Sequence, residues 1–258
     1  MAETIAYSMR YAGLKTKQIA ISMSFVTATL LITRLSNMCQ APFLGLMVDQ
    51  AILNGFNHST SNLIFSFRLV ILAAACGVIF GMCLTPSMVR IFQHGILSFL
   101  KGGSLPLLVL KLFHPRKFLF CLSLFSFPKF SMFRNIVLSQ LPKGFLLANI
   151  GVASIHCIGV MCALLAGAFL PDYRATAIQL SGIVNGIATI LLTMFVDPPG
   201  ARVTDEAVHG KRDISHVKSV VFFMQLGKLL GVLCISQFLL IPLSRYIMWV
   251  AVFLTEKF

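Results

Sequence analysis

Apolar residues in this chain gather into runs of about 20, the length that crosses a hydrocarbon core of about 30 Å. Five runs stand out, at Ile19–Met38, Leu63–Leu84, Gly144–Leu170, Tyr173–Val196 and Val217–Ile241. Pro142, Pro171, Pro198, Pro199 and Pro242 fall at their edges, where helix-breaking residues belong. A backbone in lipid must satisfy its own hydrogen bonds, so the expected fold class is all-α: a polytopic membrane helix bundle with about five transmembrane helices plus interfacial amphipathic helices. The pattern predicts one integral membrane domain over 1–258. Within it, 1–17 is a cytoplasmic N-terminal segment, 85–143 a basic interfacial connection and 197–216 a cytoplasmic loop. The opening "MAETIAYSMRYAGLKTKQ" has no apolar core of the secretory-signal kind.

Composition sharpens this. Hydrophobic residues make up 57% of the chain and charged ones 11%, against roughly 25% charged in a soluble domain. The net charge is +13, and the eight acids (Glu3, Asp49, Asp172, Asp197, Asp205, Glu206, Asp213 and Glu256) leave none between Asp49 and Asp172. The basic residues flank lipid-length runs, so their expected partner is an anionic membrane surface and not nucleic acid. Their distribution also gives an orientation. Arg10, Lys15 and Lys17 precede the first run, Cys39–Asn62 has no Lys or Arg, Thr85–Lys143 is rich in them, the turn after the third run offers only Arg174, and Arg202, Lys211, Arg212 and Lys218 follow the fourth. The N-terminal segment is expected inside and the C-terminus outside. The seven cysteines contain no CxxC pair and read as small buried hydrophobes, with no metal site or disulfide framework.

In the long connection, "TPSMVRIFQHGILSFL" reads as a separate helix with Thr85 as cap and Pro86 at its first position. "LPLLVLKLF" is too short to cross, and "KFLFCLSLFSFPKFSMFR" reads as amphipathic helix on the inner leaflet, with a re-entrant pair as the rival. Three runs carry glycines at GxxxG spacing, Gly77/Gly81, Gly182/Gly186 and Gly227/Gly231, read as helix-packing stripes.

The chemistry worth attention is basic. Counted from the ends of their runs, Arg34 lies roughly 6 Å and Arg68 roughly 8 Å inside the outer face, at similar depth. Lys228 falls near the middle of the fifth run, and Arg174 caps the outer turn. A charge at a helix centre costs about 2.5–3.5 kcal/mol on insertion scales. No acid lies inside a run to offset it, although Asp49 could reach Arg34 or Arg68. Guanidinium forks match phosphate oxygens, so these residues predict a wet cavity for an anionic head group whose tail stays in lipid. Substrate-binding candidates are Arg34, Arg68, Lys228, Asn37, Arg174, Asp49 and His156. Other readings stay open: snorkelling for the two arginines, an inner-edge place for Lys228 if the last run is bent at Pro242, and a structural hydrogen bond for His156. Asn149, Asn185, Gln179 and Gln225 line the same cavity or bridge helices. No paired intramembrane carboxylates, GxSxG or HExxH appear, which argues against an enzyme.

Three blocks, "ETIAYSMRYAGLKTKQIA" (Glu3–Ala20), "RLSNMCQAPFLG" (Arg34–Gly45) and "LSGIVNGIATILLTMFVDPPGARVTDEAVHGKR" (Leu180–Arg212), resemble the alternate lipid II flippase family, Amj. The resemblance implies a bacterial inner-membrane protein that translocates the lipid-linked peptidoglycan precursor in place of MurJ. It implies six spans, with an apolar helix ahead of the "ETIAYS" block, against the five counted above; one more span would put the N-terminus outside and leave later assignments unchanged. No catalytic residues carry over. The implied partners are lipid II and membrane lipids, no cofactor is expected, and a homo-oligomer stays open. The rival functions are a membrane-embedded enzyme acting on polyprenyl phosphates and a non-transporting envelope scaffold.

Overall fold

The structure, a computed structural model, describes residues 1–53, 56–102, 104, 123–126 and 143–257. The Leu105–Phe113 run, Pro142 and most of the phenylalanine-rich stretch lie outside them, with the interfacial and re-entrant readings attached to those segments. In chain order the helices are α1 (Ala2–Thr16), α2 (Ile19–Leu53), α3 (Phe56–Gly102), α4 (Lys143–Phe169), α5 (Arg174–Leu191), α6 (Asp197–Val208), α7 (Ile214–Leu230) and α8 (Ser236–Lys257). A 3-10 turn, Pro171–Tyr173, leads into α5, and widened π-turns at Leu192–Val196 and Gly231–Ile235 join α5 to α6 and α7 to α8. No strand occurs among the described residues. Five helical stretches are long and apolar enough to cross a membrane: Ile19–Leu53, Thr60–Gly102, Gly144–Phe169, Pro171–Val208 and Ile214–Lys257.

The helices outrun the expected spans. α2 continues past Met38 through Pro42, so the expected Cys39–Asn62 connection is mostly helical, and α3 continues past Leu84 through Pro86. Thr85 is therefore not a cap. Its hydroxyl donates to Gly81 O at 3.2 Å and accepts from Gln225 Nε2 at 2.8 Å. Pro242 lies inside α8 and does not end the last span, and residues 197–208 of the expected loop form α6, with Pro198 and Pro199 in its first turn. Proline marks a helix end in water, but in lipid neighbouring helices and Ser/Thr hydroxyls re-satisfy the carbonyl it frees.

Packing divides the chain into two compact units. The first comprises Met1–Thr33, Val78–Pro142 and Pro199–Gln225; the second comprises Arg34–Gly77, Lys143–Pro198 and Leu226–Phe258. In the first, α1 ends at Lys17, whose left-handed backbone (φ 55°) lets Gln18 N–H reach Gly13 O at 3.0 Å. Ser22 of α2 then donates to Met9 O at 2.6 Å, and a Cβ at Gly13 would collide with it. Ala12, Val89 and Ile96 pack as a small core, and Ala6, Met9 and Val26 as another. Gln225 is buried and donates to Thr4 O at 2.9 Å and to Thr85, tying α7 to α1 and α3. Arg10, 2% exposed, sits where a Cβ on Gly200 would be.

The second unit is built on α4, whose residues Ile158 and Met161–Ala166 are buried around most of the helix, as expected of a helix apolar on all sides. Leu44, Val48 and Ala51 of α2, Leu63, Phe67, Ile71 and Ala75 of α3, Ala177 and Leu180 of α5, and Leu240, Ile247 and Ala251 of α8 complete this core. The Gly227/Gly231 stripe packs as predicted, because side chains there would strike Asn149, Ile150 and Ser154 of α4. The Gly182/Gly186 stripe does not, since a Cβ at either would meet open space. The π-turn at Gly231 turns its carbonyl toward two hydroxyls: Ser154 donates to it at 3.1 Å and Ser236 at 3.0 Å, and Ser236 also reaches Ser154 O at 3.2 Å. Along α8, Tyr246, Trp249 and Phe253 form an exposed ladder of rings, with centroids 6.2 Å and 5.7 Å apart.

Candidate substrate-binding site

All seven residues singled out from the sequence belong to the second unit. Asp49 and Arg174 come together. The α4–α5 turn is closed by Tyr173 N–H on Leu170 O at 3.2 Å. Gly167 leaves room for the Arg174 stem, 3.2 Å from where a Cβ would be. The guanidinium donates through Nη2 to Asp49 Oδ1. The expected reach of Asp49 toward Arg34 or Arg68 is thus replaced by a pairing across 125 positions of sequence. Both groups are partly exposed, 34% for Arg174 and 51% for Asp49.

That pair marks one end of the unit, and the other polar residues can be placed by rise along their helices. Arg34 is about 22 Å along α2 from Asp49, and Arg68 about 18 Å along α3 from Phe56. His156 is about 20 Å along α4 from Phe169, and Asn149, which touches Gly227 beside Lys228, about 30 Å. The arginines therefore lie much deeper than the 6–8 Å expected, because α2 and α3 extend beyond the apolar runs that defined the spans. Arg34 and Asn37 are both exposed and one turn apart on α2, hence on one face. Arg68 is exposed on α3, and its carbonyl accepts from Gln237 Nε2 of α8 at 3.1 Å.

His156 is half-buried, with Nε2 3.3 Å from Thr189 Oγ1 of α5. That hydroxyl also bonds Asn185 O at 2.9 Å. A threonine has one proton to give, so the network assigns Nε2–H as donor to Thr189. Lys228, at 8% exposure, is buried beside the Gly227–Asn149 contact. Arg34, Asn37 and Arg68 are thus accessible, His156 is joined to α5, and Lys228 is enclosed. Asn149 and Gln225 are buried between helices, in keeping with bridging, and Asn185 packs against Gly159 with its Oδ1 lacking a hydrogen-bond partner among the described residues. No group of three or more His, Cys, Asp or Glu that could hold a metal ion gathers among the described residues. Sequence reasoning missed the Ser154–Gly231–Ser236 knot and the burial of Arg10. The conjunction of a glycine stripe with serines on facing helices was the available signal for the first.

The family model described as "Alternate to MurJ" matches residues 1–251. The chain belongs to the Amj family. It is 34% identical over 248 residues, 96% of this chain and 90% of the other, to a Bacillus subtilis (strain 168) protein named Lipid II flippase Amj. No solved structure matches the chain. With its five membrane-length helices, this Amj-family chain is a multi-pass protein of the cytoplasmic membrane and a transporter, not an enzyme.

Proposed function

We propose that this chain is a lipid II flippase that carries the undecaprenyl-diphosphate-linked peptidoglycan precursor across the cytoplasmic membrane, and that Arg34, Arg68 and Lys228 serve the diphosphate at successive depths. The observation that carries the residue assignment is the placement of Arg34 and Arg68 well inside two membrane-length helices, while Asp49, the one carboxylate on those helices, is held by Arg174. A diphosphate drawn to a guanidinium in a low-dielectric setting gains charge-assisted, two-pronged bonds that water at the surface would weaken. Asn37 and His156 add neutral donors beside that route, and the Asp49–Arg174 pair stands at its end. Lys228 takes part when α4 and α7 separate along their glycine-lined contact.

The test is complementation in cells depleted of their other lipid II flippases, with lipid II exposure read by an external probe. Arg34→Ala and Arg68→Ala each remove charge-assisted bonds worth about 1.5–3 kcal/mol, so flipping should fall roughly 10- to 100-fold with expression intact. Full growth of both variants would overturn the assignment of these arginines. Failure of the unaltered chain to expose lipid II would overturn the flippase reading itself.

A further inference from the structure

The search turns up a second gathering of cations, in the first unit and away from the residues above. Lys15 of α1 and Lys218 of α7 both lie over the ring of Tyr11, 5.0 Å and 5.7 Å from its centroid. Arg90 of α3 is close enough that its charge, after burial and the charge of Lys218, depresses the Lys15 amine below its usual pKa of 10.5. All three side chains are exposed, and among the described residues none of them pairs with a carboxylate. Each grows from a fixed point. Lys15 follows buried Leu14, Arg90 follows buried Val89, Lys218 follows fully buried Val217, and Tyr11 adjoins Ala12 in the Ala12–Val89–Ile96 core.

Three cations from three helices repel one another, and one aromatic face offsets only part of that. Such an arrangement is stabilised by an anion. By the lysine and arginine distribution, α1 precedes the first span on the cytoplasmic side, so the anion within reach is a phosphate at the inner leaflet. We propose that Lys15, Arg90 and Lys218, gathered around Tyr11, form a binding site for the phosphate of a lipid head group. Two lysines supply point charges and the arginine a fork, which suits a tetrahedral anion with several free oxygens. The site stands apart from the translocation reading, since its phosphate could belong to a bulk anionic lipid or to a polyprenyl diphosphate.

Native mass spectrometry tests it on the full chain in dodecyl maltoside, a neutral and phosphate-free detergent. The chain is titrated with dioleoylphosphatidylglycerol or undecaprenyl diphosphate, with dioleoylglycerol as phosphate-free control. The expected result is a saturable one-to-one adduct with a phosphate-bearing lipid. It should weaken by roughly tenfold or more in Lys15→Gln/Arg90→Gln/Lys218→Gln. It should hold in a charge-matched Lys211→Gln/Arg245→Gln/Lys257→Gln chain. Preference for one lipid names the source of the phosphate; either supports the site. Equal binding by the first variant and the unaltered chain overturns it, as does equal weakening in the charge-matched chain. If the triple variant does not stay monodisperse, Arg90→Gln alone is read the same way, with several-fold weakening expected and unchanged binding overturning the site.

Discussion

Two glycines that look alike in the sequence differ in what surrounds them. A methyl at Gly159 would drive into the amide of Asn185, whereas one at Gly182 meets nothing. Gly159→Ala should therefore destabilise by about 1–3 kcal/mol, the usual range for overpacking. Gly182→Ala should be neutral or stabilise by up to about 1 kcal/mol through helix propensity. Thermal melting of the purified chain separates them. Lys15 gives a chemical readout at the same scale. Its folded pKa is depressed, first by burial and then by Lys218 and Arg90. Carrying the proton therefore costs the fold below that pKa, and the cost is relieved as pH rises through it toward 10.5. In mildly alkaline solution Lys15 should acylate faster than Lys211, and Lys218→Gln should slow it; equal rates would show that the three charges do not act on one another. Individual residues were the least legible part of the sequence. Arg34 and Arg68 were found because a charge in an apolar run is conspicuous. The Asp49–Arg174 pair was not, since nothing local links positions 125 apart. Arg10 looked like one more cytoplasmic cation until α1 packed and enclosed it.

At the scale of elements, apolar run length recovered the five membrane-length helices but misplaced their ends. The cause is the same each time: Pro42, Pro86 and Pro242 were treated as they behave in water, and each lies inside a continuous helix. Pro86→Ala is the decisive substitution. If Pro86 began a separate helix, its loss would weaken that start. Inside α3 it restores a missing donor, so the melting temperature should stay or rise, and a clear fall would contradict the continuous helix. The α7–α8 junction makes a second prediction. Ser236→Ala removes the bonds to Gly231 O and Ser154 O and should cost about 1–2 kcal/mol, again read by melting. Its legibility was nil, because a π-turn has no sequence signature beyond the glycine that happens to begin it.

For the whole molecule, charge distribution set an expected orientation, and labelling of single cysteines in a cysteine-free background checks it. Asp172→Cys, in the exposed α4–α5 turn, should react with an impermeant maleimide on intact cells, whereas Lys211→Cys should react only after permeabilisation. The reverse pattern would invert every span. Membrane residence and helical class were legible because lipid imposes length and backbone self-sufficiency on any sequence that crosses it. The division into two packed units was not, since α2, α3 and α7 each give residues to both, and apolar run length carries no mark of where a helix changes neighbours.

The π-turn at Gly231–Ile235 has a final consequence of phase. It is in effect one residue spliced into an α-helix, and each residue of such a helix advances the face by about 100°. Removing any one of its five positions would spin everything C-terminal by that angle. Tyr246, Trp249 and Phe253 would swing away from the side they now present to the bilayer, and Leu240, Ile247 and Ala251 would leave the core. A single codon deletion there should accordingly be far more damaging than any substitution of the same residue.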